Sequence, residues 1–141
     1  MSPTSALALA VSSMFALTAL AQDAPPLPDK LKGAGTYSGT RRGTVNPMEL
    51  SQIKQDGDKV TGVISDYRYA NGQCEANNTP FAGTYAGGVL AIKSARLESK
   101  KADGASCGML YIEATYGNGS LSGTYRTGQE GNRFNIEFPL K

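Results

Sequence analysis

The chain of 141 residues carries 14 Lys and Arg against 12 Asp and Glu, a formal net charge of +2, with 17 Gly, two Cys, no His and no Trp. This length predicts one folded domain, and the missing imidazole excludes Ser-His-Asp and Cys-His catalysis and any His-ligated metal. Two Cys cannot complete a Cys₄ zinc site or an iron–sulfur cluster, and a charge this near neutral leaves no footprint for nucleic acid, so no metal, cofactor or nucleic-acid partner is expected.

Residues 1–21 contain no charged side chain, and the apolar run Ala6–Ala21 ends in Ala19-Leu20-Ala21. A small-x-small ending after an apolar stretch is what signal peptidase reads. The run is shorter than the ~20 apolar residues a bilayer crossing needs. It therefore predicts a cleaved signal peptide over 1–21, no membrane span in the mature form, and a secreted or periplasmic location. Residues 22–32 contain Pro25, Pro26 and Pro28 and read as an extended linker, because Pro is not tolerated inside a helix. The folded domain is expected over 33–141.

Period-2 alternation dominates from there on. The clearest case is Arg133 to Leu140, where Phe134, Ile136, Phe138 and Leu140 share one face and Arg133, Asn135 and Glu137 the other. That is the pattern of a half-buried strand. In chain order the expected strands are Thr36–Thr44, Met48–Gln55, Lys59–Asp66, Pro80–Tyr85, Val89–Glu98, Cys107–Tyr116, Ser120–Thr127 and Arg133–Leu140. Turn signals separate them: Asn46-Pro47, Asp56-Gly57-Asp58, Ala86-Gly87-Gly88 and Asn118-Gly119. A longer loop, Tyr67–Thr79, carries Cys74, and a polar loop, Ser99–Ser106, precedes Cys107. The reading is all-β: an antiparallel meander of eight strands, closing into a barrel to remove its edges, with a two-sheet sandwich as the alternative.

Gly-Thr-Tyr occurs at 35–37, 83–85 and 123–125. A strand Gly marks a bend, a bulge or close approach of another backbone. This tripeptide, with Val60-Thr61-Gly62-Val63 and the longer Phe81-Ala82-Gly83-Thr84-Tyr85, resembles the calycin barrels, most nearly the avidin branch, over residues 33–90. The resemblance implies an eight-stranded barrel and carries no ligand residues. The position of the avidin-type ligand Tyr is Ile64, the polar positions after the opening motif are Gly39 and Gly43, and the Trp walls have no counterpart. Biotin binding is therefore not expected.

Cys74 and Cys107 are an even pair in a chain expected to be exported, which predicts a disulfide. Closing a loop of this length is worth about 3–4 kcal/mol in the chain-entropy model. For binding, Tyr67-Arg68-Tyr69 is the leading candidate, since Tyr and Arg dominate interface hot spots and a disulfide at Cys74 would pre-organise their loop. Asp66, Glu75 and Glu113 are the carboxylates available for acid/base hydrolysis. Arg41-Arg42 and Lys100-Lys101 are basic pairs able to meet an anionic partner such as an envelope polysaccharide. Asn118-Gly119-Ser120 and Asn77-Asn78-Thr79 match the glycosylation acceptor pattern, but the first is explained by its turn and the second is followed by Pro80. The functional expectation is an exported, non-enzymatic barrel that binds a small ligand inside or a partner through its loops. A secreted or periplasmic interaction factor such as an inhibitor is the second reading, and a small carboxylate hydrolase the third.

Overall fold

The structure, a computed structural model, describes residues 24–36, 45–69, 73–100, 107–128 and 133–140. The expected signal peptide and Arg41-Arg42 lie outside the described residues. The strands are β1 (Lys30–Thr36), β2 (Val45–Asp56), β3 (Lys59–Ser65), β4 (Tyr67–Tyr69), β5 (Cys74–Ala76), β6 (Thr79–Ala86), β7 (Val89–Arg96), β8 (Glu98–Ser99), β9 (Met109–Gly117), β10 (Ser120–Thr127) and β11 (Phe134–Pro139). Eight of them form a closed antiparallel barrel in the order β1-β11-β10-β9-β7-β6-β3-β2, and β4, β5 and β8 make a small second sheet. The all-β barrel is thus present, and the sandwich is not.

The interior follows from alternation. Leu31, Met48, Leu50, Val60, Ile64, Phe81, Leu90, Ile92, Leu110, Ile112, Leu121, Tyr125, Ile136 and Phe138 are all buried, each on the inward register of its strand. Fully burying an aliphatic or Phe side chain contributes about 1.5–3 kcal/mol, so this set dominates the fold.

Glycine makes room for the largest of these rings. A Cβ on Gly33 would stand 2.4 Å from Phe138, one on Gly35 2.5 Å from the Tyr125 ring, and one on Gly62 2.6 Å from Phe81. At Gly83 and Gly123 the obstacle is backbone: a Cβ would lie 2.0 Å from the carbonyl oxygen of Ala91 and of Glu113, respectively. The repeated Gly-Thr-Tyr therefore marks close approach. Two residues on, Tyr85 and Tyr125 turn into the barrel.

Two strands carry irregularities that the side chains repair. The β7–β9 register shifts between Lys93 and Arg96, and there the buried Ser94 hydroxyl accepts the Leu110 N–H at 2.9 Å. In β2 the register shifts between Ser51 and Lys54, with Gln52 at φ 53°. The displaced Ile53 N–H donates to the Asp29 carbonyl at 3.1 Å.

That last bond belongs to a segment expected to be linker. Residues 24–29 instead lie across one end of the barrel. Leu27 N–H donates to Gln55 Oε1 at 2.7 Å, and the Tyr85 hydroxyl donates to the Pro25 carbonyl at 2.8 Å. Lys30–Lys32 already belong to β1, so the first strand begins six residues before its expected start. Its inward positions after Leu31 are Gly33 and Gly35, which leave no apolar alternation to read. The short turns 57–58, 87–88 and 118–119 sit at this same hairpin end. The long connections all leave the opposite, loop-bearing end.

Candidate binding surface at the loop-bearing end

The small sheet grows out of the loop expected over Tyr67–Thr79. Asp66 and Asn78, at its two junctions with the barrel, have φ 68° and 51°, a left-handed conformation that Asn and Asp accept most readily after Gly. Ser65 and Asn78 lock the junction: Asn78 N–H donates to Ser65 Oγ at 3.0 Å, and Ser65 Oγ donates to Asn78 Oδ1 at 3.3 Å. The chain between them folds back as β4 and β5, pairing Tyr67 with Ala76, Arg68 with Glu75 and Tyr69 with Cys74. On the other side of β5, Cys74 pairs with Ser99 and Glu75 with Glu98 of β8.

The disulfide joins Cys74 to Cys107, with Cα atoms 5.8 Å apart. It ties the small sheet to the residues leading into β9. Around it, Lys100 N–H donates to the Gln73 carbonyl at 2.7 Å and Leu97 N–H to the Gly108 carbonyl at 3.0 Å.

Alternation splits the three residues of the expected binding patch. Tyr67 is 1 % exposed and turns into the barrel mouth. Its ring meets Tyr125 edge-on with centroids 5.5 Å apart, and Tyr125 stacks on Phe134 at 5.2 Å. Asn46 Nδ2 donates to the Tyr125 hydroxyl at 3.3 Å. Burial first, and the neighbouring Tyr125 second, push the Tyr67 hydroxyl far above the ordinary tyrosine range. These three rings form an aromatic lid across the mouth. Tyr69 is half-buried and its hydroxyl accepts the Gly108 N–H at 2.8 Å. Arg68 alone of the three points fully outward, so the outer surface of β4 consists of Arg68 and one edge of Tyr69.

Arg68 is part of an ion-pair group. Its Nε lies 3.3 Å from Glu75 Oε2, and Lys100 Nζ lies 2.7 Å from Glu75 Oε1. The Lys100 bond above all, with Arg68 adding to it, holds the Glu75 carboxyl below the usual carboxylate range. The two cations also offset Glu98, which stands opposite Glu75 on β8 and would otherwise repel it. Beside this group lies a pocket of about 450 Å³ lined by Asn46, Pro47, Asp66 and Arg68.

Of the carboxylates considered for hydrolysis, Asp66 lines the pocket beside Arg68, but Glu113 does not join it and Glu75. Both Glu75 oxygens are engaged, and Glu113 stands on the outer face of β9, opposite Ala91 and Thr124. Among the described residues, no group of three His, Cys, Asp or Glu could hold a metal ion. Glu75 as the centre of an ion-pair group, and Tyr125 and Asn46 as partners of the lid, were not singled out by sequence. Their partners lie on other strands, and no local spacing signals them. No protein-family model, curated protein or solved structure matches this chain.

Proposed function

We propose that this protein is an exported, non-enzymatic barrel module that engages a partner through its loop-bearing end instead of enclosing a small ligand. The observation that carries this reading is the filled interior. Phe138, Tyr125 and Phe81 occupy the space left by Gly33, Gly35 and Gly62, and Tyr67 packs edge-on over Tyr125 at the mouth. Side chains filling the interior in this way take up the volume a guest would need. The disulfide supports export, since such bonds persist in oxidising compartments.

At the loop-bearing end, a covalently braced sheet and the residue after it display Arg68, Glu98 and Lys100, with the buried Glu75 between the two cations. Charges of both signs at fixed positions select a partner by complementarity, and bracing lowers the ordering cost of binding. Photo-crosslinking from a benzoylphenylalanine placed at position 68, in the exporting cell, tests this. One defined adduct is expected from position 68 and none from position 57 at the hairpin end. A small apolar molecule retained in native mass spectrometry, with no adduct at 68, would overturn the reading.

A further inference from the structure

A second feature lies on the outer face of the barrel wall, away from the loop-bearing end's small sheet. Outward positions on β6, β7 and β10 are small there: Ala82, Ala91 and Thr124. They floor a groove of about 370 Å³. Lys93, Tyr111 and Arg126 stand along it in register on three adjacent strands, β7, β9 and β10. The Arg126 guanidinium carbon is 4.1 Å from the Tyr111 ring centroid and the Lys93 ammonium is 5.7 Å from it. Arg126 also donates to the Gly128 carbonyl, which fixes its orientation. Arg133 and Glu113 complete the lining.

Two cations are stacked on one aromatic ring here. Among the described residues, no carboxylate pairs with Lys93, Arg126 or Arg133. Cation–π contact positions the two charges and leaves their outer N–H donors free for an anion. A guanidinium and an ammonium flanking one point suit a carboxylate or a similar oxyanion.

Glu113 narrows the choice. A polyphosphate or nucleic-acid strand would lay repeated negative charge along the groove and against this carboxylate. A polymer of sugar acids carries only one anionic group per ring, with hydroxyls between successive charges, and hydroxyls donate to a carboxylate. Thr124 and the Tyr111 hydroxyl add further polar partners. A lipid surface would find a single exposed large hydrophobic residue among those described, Val89, and membrane binding scales with the apolar area a surface can bury.

We propose that this groove binds an acidic sugar unit of a polysaccharide, its carboxylate held between Lys93 and Arg126 and its hydroxyls by Glu113 and Thr124. The site shares no residue with the small sheet of the proposed partner surface, so either can fail alone. The test is a titration of the ¹⁵N-labelled disulfide-intact protein with a galacturonate hexamer at low salt, beside maltohexaose and polyphosphate. Galacturonate is expected to shift the amides of Lys93, Tyr111, Glu113 and Arg126, and maltohexaose to leave them in place. Lys93→Gln with Arg126→Gln is expected to weaken binding about tenfold or more, with an otherwise unchanged spectrum. The charge-matched pair Lys54→Gln with Lys59→Gln is expected to keep it. Glu113→Gln is expected to weaken galacturonate and strengthen polyphosphate. Equal binding of maltohexaose, tighter binding of polyphosphate to the unmodified protein, shifts outside the groove, or a Glu113→Gln variant that tightens both anions would each overturn the proposal.

Discussion

The two ends of this barrel are closed by different physics. At the hairpin end the connections are two residues long, and backbone chemistry does most of the work. Asn118 and Gly119 sit at φ 53° and 79°, both left-handed, as a tight hairpin of the primed type needs. Residues 24–29 then lie across the opening on three hydrogen bonds. At the other end the connections are long and their closure entropy is larger. There the chain relies on contacts far apart in sequence: a disulfide spanning 33 residues, an aromatic lid drawn from β4, β10 and β11, and an ion-pair group joining β4, β5 and the residue after β8. Local turn chemistry makes the hairpins of one end, with residues 24–29 bonded over them from afar, and long-range side-chain pairing organises the other.

Removing the cross-link should break this contrast most strongly. Cys74→Ser with Cys107→Ser is expected to cost about 3–4 kcal/mol, read as a lowered midpoint in denaturant. Hydrogen exchange should accelerate in 74–76 and 97–100 well before it does in the 118–119 turn. Equal acceleration at both ends would mean that the ends do not differ.

A turn substitution attacks the other side of the comparison. Gly119→Ala forces a Cβ into a left-handed residue with open space around it, so the cost is conformational, about 1–2 kcal/mol. Thermal unfolding measures it, and amides of β9 and β10 near the turn should lose protection while those around Cys107 keep theirs.

Acid titration gives the smallest effect, confined to the loop-bearing end. The Glu75 carboxyl is held below its ordinary value by Lys100 and Arg68. A carboxyl depressed in the folded state contributes stability above its unfolded pKa and loses it as pH falls through the folded value. Stability should therefore decline below about pH 4–5, and Glu75→Gln should flatten that decline. An unchanged acid limb in the variant would remove Glu75 from the account.

Where a strand's inward face carried apolar side chains, its extent could be read from the sequence. β10 spans Ser120–Thr127 as expected, because Leu121 and Tyr125 alternate with polar neighbours between two Gly-containing turns. β1 escaped notice for the opposite reason. Its inward positions Gly33 and Gly35 are completed by Phe138 and Tyr125, about a hundred residues later, so the pattern exists in space and not along the chain. The small sheet was equally hidden. β4 and β5 are three residues each, too short for a periodic signal, and they are defined by pairing and by the disulfide. The Tyr67-Arg68-Tyr69 patch was found by residue type, but only the strand's register separates the buried ring from the exposed guanidinium.

Barrel closure itself has a consequence for how the chain folds. Its seam pairs Gly35 with Ile136, the first strand with the last. Neighbouring hairpins can form as soon as both strands exist, but the seam must wait for β11, and contacts of such separation form slowly. Until then β1 and β10 are open edges, with unpaired backbone groups ready to add a foreign strand. A chain interrupted before Phe134 would keep those two edges permanently and should aggregate edge to edge, however complete its other hairpins.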